Sequence, residues 1–418
     1  MTDYDVIVAG GGAAGVGAAL GAAKAGARVC LVEKYGFLGG AATNAQVLAY
    51  CGFFQRGEDP VQVIRGAGEE VLATLDGMGV DRTAYRSPTT GNWIVLLDPE
   101  RLKLGLDRVL ADRGIDVMLH TRISGAVRDG DRISEVTLAG MDGAFQAQAG
   151  AYVDATGDAN LSLVAGQAMQ VGDGEGRLQA STVPIRIGGL PAGLRIDRQK
   201  MQAAIAEFNH RSEHKIDRHD AGIYTKVTGT NDFWWLVIDR AMPDLTSASF
   251  TKAEQTGREM AHTLVEVLRD TVEGFEGAWL AQTGPQLGIR ETRHPAARYD
   301  VTHDDVLSGR QSDQGVARAA WPIELHTEAG KPIYEFVGGE GFFHVPFDAI
   351  RAEGLENLYY GGRVIGADPH AYGSIRVMGT AFGTGEAAGV AAALTSGAGT
   401  APEVEALQGA LIGVGALV

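Results

Sequence analysis

The sequence predicts an α/β fold in which a parallel sheet lies between helical layers, with a second, α+β unit inserted into it. Three observations carry this reading. Near the start, an apolar strand runs into a glycine-rich turn, an Ala-rich helix and a second apolar strand. Two further strand-like runs with glycine-rich ends follow far downstream, at 152–157 and 357–363. Between them, from about 171 to 344, the pattern turns to polar helices and irregular stretches rich in His and Arg.

The first strand is Val6-Ile7-Val8-Ala9, and Gly10-Gly11-Gly12-Ala13-Ala14-Gly15 fits G-x-G-x-x-G. A helical stretch from Val16 to Ala25 comes next, then the strand Arg28-Val29-Cys30-Leu31-Val32 and the charged pair Glu33-Lys34. Gly10 permits a tight turn, Gly12 lets the backbone approach a pyrophosphate, and Gly15 lets the helix close on the strand. The helix N-terminus at Ala13 and Ala14 presents unpaired N–H groups to phosphates. Glu33 lies 33 − 10 = 23 residues past the first glycine, where a carboxylate can accept both ribose hydroxyls. A strand before, a helix after and an acid closing the second strand make this a Rossmann-like dinucleotide site rather than a chance glycine run.

NAD and FAD share that half of the pattern. The next segment, Leu38-Gly39-Gly40-Ala41-Ala42-Thr43, favours FAD. A glycine pair after the ribose-binding acid, followed by a hydroxyl residue, lets the chain track the pyrophosphate towards a flavin. Gly39, Gly40, Ala41 and Thr43 therefore join the candidate contacts. Tyr152-Val153-Asp154 reads as a strand ending in Ala155-Thr156-Gly157-Asp158, whose small residues let a sheet return beneath the cofactor. Asn357 to Tyr360 is a strand ending in Gly361-Gly362-Arg363, followed by Ser374, Gly379, Thr380 and a long Ala/Gly helix to about Leu394. A helix starting near Gly379 can aim its positive end at a flavin; it can equally be a buried helix that packs closely.

The layout should be discontinuous. Residues 1–50, 98–170 and 345–418 form the FAD-binding domain, 51–97 a connecting, partly helical segment near the flavin, and 171–344 the substrate or cap domain. Asp98-Pro99 starts a helix to Arg113 with Leu102, Leu106, Val109 and Leu110 on one face. Ile115 to Leu119, Ile123 to Val127 and Ile133 to Leu138 are short strands, with a Met141-Asp142-Gly143 turn after them. In the cap, helices are expected over Asp197 to Asn209 and Lys252 to Asp270. Gly383-Thr384-Gly385 repeats a G-x-G spacing inside a helix rather than after a strand, so it marks no second nucleotide site.

With these segments in view the chain resembles the FAD-dependent oxidoreductase family, related to glutathione-reductase-type flavoproteins and, more distantly, to fumarate reductase and succinate dehydrogenase flavoproteins. The stretches that carry the likeness are GGGAAG, EKYGFLGGAAT, VDATGDANLSLVAG, LGIRETR and the run from NLYYGGRVIG to GVAAAL. They span nearly the whole chain and speak for FAD rather than for a substrate. The resemblance implies a β-meander between the crossover helix and the A-T-G strand, which makes the backbone of Ile123 a candidate adenine contact. Fumarate-reductase relatives often carry a flavin-linking histidine after the second strand; here no histidine precedes His120, so non-covalent FAD is implied.

Composition agrees. The chain has 418 residues, long enough for two domains, and 59 glycines, about twice the usual ~7%. A formal charge of −16 argues against nucleic acid or an anionic membrane as partner. Two cysteines, Cys30 and Cys51, offer no disulfide framework. The start lacks a basic region before its apolar run, and no stretch approaches a membrane span, so a cytoplasmic protein is expected, with a small-molecule substrate, an unspecified electron partner and a homo-oligomer as an open option.

The chemistry falls to residues beside the flavin. His370, Tyr372 and Arg376 lie in the loop between the Gly-Gly-Arg strand and the Ala/Gly helix, which should pass over the ring. His370 and His326 are candidate acid–base groups, since histidine titrates near neutrality. Arg290 and Arg376 can clamp a carboxylate, or else form internal ion pairs with, for example, Glu291 or Glu386. Arg363 can hold a phosphate or buttress the loop. No metal-ligand spacing occurs. Two reaction classes stay open: hydride transfer by a dehydrogenase or reductase, and an isomerase or hydratase with no net redox turnover.

Overall fold

The computed structural model describes residues 2–88 and 90–418. The main sheet has seven strands. Strand Thr2–Ala9 is central, parallel to Val29–Val32 on one side and to Gly143–Asp154 on the other. Asp116–Met118 extends the sheet beyond Val29–Val32, and Leu358–Tyr360 lies beside the end of Gly143–Asp154, both parallel. Val6, Ile7 and Val8 are fully buried, as expected of a parallel strand covered on both faces. Helix Ala13–Lys24 makes the first crossover; helix Pro99–Ala111, capped by the Asp98 carboxylate on the N–H groups of Glu100 and Arg101, belongs to the second. Its predicted apolar face, Leu102, Leu106, Val109 and Leu110, is buried.

The grouping of the short strands needs correction. Asp116–Met118 is the edge of the parallel sheet, and the antiparallel meander consists of Arg122–Asp129, Arg132–Gly140 and the start of Gly143–Asp154. The strand read from Tyr152 onwards is therefore the end of one 12-residue strand. Its first half is rich in Ala, Gln and Gly and gives little apolar signal.

Two large apolar cores result. The first gathers buried residues from Tyr4 to Ala165 and again from Val301 to Leu411. The second, from Val183 to Leu287, forms on a four-stranded sheet ordered Ile223–Lys226, Phe233–Arg240, Ser181–Gly188, Trp279–Thr283, covered by helices Arg198–Arg211 and Ser247–Thr271. The inserted core thus closes well before residue 344. Strands Gly315–Ala319 and Phe343–Pro346 pair with each other and bury Val316, Phe343 and Val345 in the first core.

The Ala/Gly helix spans Met378–Ala398 and runs parallel to Ala13–Lys24. A Cβ on Gly385 would stand 2.0 Å from the Ala14 carbonyl oxygen, and one on Gly389 equally 2.0 Å from that of Ala18. Glycine lets the two backbones touch, and the N-termini of both helices end on the same side of the sheet. No helix among the described residues is long and apolar enough to cross a membrane.

Candidate active site

Where those helix N-termini emerge, Gly10, Gly12, Ala13, Ala14, Glu33, Lys34, Gly40, Ala41, Ala155, Thr156, Gly157, Asp158, Gly362 and Arg363 line one cavity of about 790 Å³. Gly10 has φ +96°, and a Cβ there would lie 2.5 Å from the Ala155 carbonyl oxygen. Gly12 and Gly40 face each other so closely that a Cβ on Gly40 would meet the Gly12 Cα at 2.8 Å. Any side chain at this pair would fill the passage. The Glu33 carboxylate is fixed by accepting the Gly11 N–H (2.6 Å) and the Tyr35 N–H (3.0 Å). Lone pairs remain on both oxygens for ribose hydroxyls.

Other predicted contacts stand behind the lining. Gly15 closes its helix onto the turn, since a Cβ there would sit 1.6 Å from the Gly10 oxygen. Gly39 turns the chain at φ +111°, and Thr43 donates its hydroxyl to the Leu38 carbonyl at 2.6 Å, so it serves its own turn. Ile123 lies half-buried in the meander and outside the cavity lining; it is Thr121, two residues earlier, whose N–H reaches the Glu33 carbonyl (3.0 Å). Ser374 donates to the Trp321 carbonyl. Gly379 presses on the Cys51 carbonyl, and the Thr380 hydroxyl is buried without a hydrogen-bond partner. Val377, Met378 and Ala381 carry the helix end into the cavity. Arg363 donates to Asp158 (3.0 Å) and to the Ile289 carbonyl (2.9 Å), a buttress at the cavity wall.

The loop from Asp368 to Arg376 reaches the cavity only at its end, through Arg376, and not along its length as expected. His370 is exposed, its ring 4.9 Å from that of His303, and it does not line the site. Asp368 pulls the loop outward by accepting the N–H groups of His370 (2.9 Å), Ala371 (2.7 Å) and His303 (2.6 Å). Tyr372 is buried behind the wall and donates to the Arg290 carbonyl at 2.7 Å. Neither residue faces the space a substrate would occupy.

Arg290, Arg376 and His326 do face the cavity, joined by residues the sequence reading missed. Glu324 and His326 sit two apart at strand Ile323–Leu325 and its end, and His326 Nε2 lies 3.1 Å from Glu324 Oε1. Tyr334, paired with Glu324 across strands, donates its hydroxyl to the same oxygen (3.0 Å); the Trp321 indole N–H donates to the other (3.0 Å). Arg376 donates to the Glu324 carbonyl (2.8 Å). Burial alone would push the Glu324 carboxyl up. The hydrogen bond with His326, the nearby Arg376 charge and the indole N–H outweigh it and hold the carboxylate ionised. Burial, helped by the Arg290 charge, pushes His326 down to about 4, so it is neutral at pH 7. Its Nδ1 is buried without a partner.

Arg290 pairs with Asp239 (3.3 Å), not with Glu291 or Glu386. Asp239 is also 3.7 Å from Arg218, which binds Asp220 at 3.0 Å. Glu386 instead holds Lys24 (3.3 Å) and the Ala67 N–H (2.9 Å). A signal for Glu324 existed in the Glu-x-His spacing, which puts both side chains on one face of a strand. A three-residue strand was too short to show alternation.

The glycine cradle, the Glu33 carboxylate and a 21-residue helix aimed at the far end fit a long dinucleotide. Solved structures similar over 98% of the chain include p-nitrophenol 4-monooxygenase PnpA from Pseudomonas putida DLL-E4 (12% identity, 84% of that chain, TM-score 0.50) and BexE (13%, 66%, 0.50). The chain spans 64% of the length of OxyS anhydrotetracycline hydroxylase from Streptomyces rimosus, at 13% identity, 98% of this chain and TM-score 0.49. At such identities the likeness concerns the fold alone. No curated protein sequence matches the chain. The sequence profile described as FAD dependent oxidoreductase matches residues 5–411, and the protein belongs to that family of FAD-dependent enzymes.

Proposed function

We propose that the protein is a dehydrogenase or reductase that transfers a hydride between a small acidic organic substrate and non-covalent FAD. One observation carries this reading: the cavity that begins at the glycine cradle and Glu33 continues to Arg290, Arg376, Glu324 and His326. Bound FAD supplies the two-electron acceptor or donor. The chain's own groups supply the rest. Arg290 and Arg376 hold the substrate carboxylate by charge-assisted hydrogen bonds. Glu324, ionised and fixed by Tyr334 and Trp321, keeps the His326 proton on Nε2, leaving Nδ1 with a lone pair. With FAD bound, oxidation of the substrate would free a proton from the O–H or N–H beside the reacting carbon, and neutral His326 would take it; in reduction His326 would return it. The lack of any histidine before His120 supports non-covalent binding.

The test is anaerobic mixing of the FAD-loaded protein with small hydroxy, amino and saturated acids while the flavin band is followed. Bleaching by an acid, without another donor, is the expected result. Product formation with no bleaching would assign the protein to isomerase or hydratase chemistry instead.

A further inference from the structure

The cavity has a second character beyond its charged end. Strands Ala49–Cys51 and Trp93–Leu96 are antiparallel, with Ala49 opposite Leu96 and Cys51 opposite Ile94. Alternation puts these four side chains on one face, and all four line the cavity. Tyr50 and Val95, on the other face, enter the first core. The inserted sheet behaves likewise. Phe233, Trp235 and Val237 enter its own core, while Trp234 and Leu236, paired with Thr225 and Ile223, turn to the cavity. Contacts at one edge hold the two sheets together. Leu48 packs with Trp234 and Leu236, and the Trp234 indole N–H donates to the Gln46 carbonyl at 2.7 Å. Cys51 and Ile94 line the same cavity as Glu324 and Arg376, so the slot between the sheets opens onto the charged cluster.

We infer that the substrate is an amphipathic carboxylate: an anionic head at Arg290 and Arg376, and an apolar body of several carbons held between Ile94 and Leu96 on one side and Trp234 and Leu236 on the other. This rests on the function proposed above and names its substrate class. A fully polar small acid would leave these apolar faces unused, whereas each methylene buried there adds affinity. Arg290 and Arg376 line the charged end of the cavity. One anionic head and one apolar body is the match.

The probe is the straight-chain alkanoate series from acetate to decanoate, titrated into FAD-loaded protein and followed by perturbation of the flavin spectrum. Dissociation constants are expected to fall roughly two- to fourfold per methylene beyond butanoate until the slot is filled. Leu236→Asn should flatten that slope, and Arg376→Lys should weaken every member of the series alike. Alkanoates that bind with no dependence on length would overturn the amphipathic substrate while leaving the acidic-substrate reading intact. Flavin that is bound yet insensitive to every acid would overturn both. A slope that survives in Leu236→Asn, with the protein folded by circular dichroism, would remove the slot from the inserted sheet.

Discussion

Glu33 and His326 show how single side chains are prepared by their neighbours. Two backbone N–H groups already hold the Glu33 carboxylate facing the cavity. Replacing it with Ala is expected to remove two charge-assisted bonds to ribose, each about 1.5–3 kcal/mol before water compensates. FAD affinity should fall at least about tenfold by titration of the apo-protein, with its circular dichroism unchanged. His326 is the reverse case, a group kept uncharged. The unfolded chain takes up a proton as pH falls through about 6.5, but the folded protein resists until about 4. Its folded value is depressed, so stability is fully present above about 6.5 and declines as pH falls towards about 4. His326→Gln should lose less stability than the wild type between pH 7 and pH 4.5, as measured by denaturant midpoints. The same variant should slow flavin reduction by roughly 10²–10⁴-fold, the usual contribution of a positioned acid–base group.

At the scale of elements, the contact between helices Ala13–Lys24 and Met378–Ala398 fixes where both N-termini lie. Glycine makes it possible at some positions and is idle at others. Gly385→Ala would drive a Cβ to 2.0 Å from the Ala14 carbonyl, and overpacking of this kind destabilises by about 1–3 kcal/mol or more. Gly397, in the same helix, has nothing within 4 Å of its would-be Cβ, so Gly397→Ala should stabilise by up to about 1 kcal/mol. Thermal denaturation of the two variants should move in opposite directions. The Gly385 variant should also bind FAD more weakly, because parting the helices displaces the turn at Gly10–Gly15. Equal shifts in both variants would mean that helix propensity alone governs this contact.

For the whole molecule, two cores share one cavity, and the occupant of that cavity should knit them together. Purified protein should be yellow and should release intact FAD into the supernatant on acid or heat denaturation. Colour that stays with the denatured polypeptide would contradict non-covalent binding, and FMN or NAD in the supernatant would contradict the cofactor. A ligand that binds only the folded state adds about 2.7 kcal/mol at one hundred times its dissociation constant. FAD should therefore raise the melting temperature of the apo-protein, and the inserted unit, tied to the first core through Trp234 and Gln46, should melt with it.

What the sequence determined by itself was local. The turn at Gly10–Gly15, Glu33 at the strand end, the Asp98 cap and the Ala/Gly helix could all be read because each depends on neighbours in the chain or on a fixed spacing, and these were enough for an α/β dinucleotide fold and FAD. The tertiary structure decided which side chains reach the cavity. His370 looked well placed because it precedes the helix, yet Asp368 draws it outward to His303. Glu324 gained its role from Tyr334, Trp321 and Arg376, none of which a local pattern connects to it. The apolar slot required two sheet faces from segments well over a hundred residues apart to meet across a gap. Spacing along the chain governs a turn or a cap; which side chains face a common cavity follows from how the sheets pack, and only the folded molecule holds that.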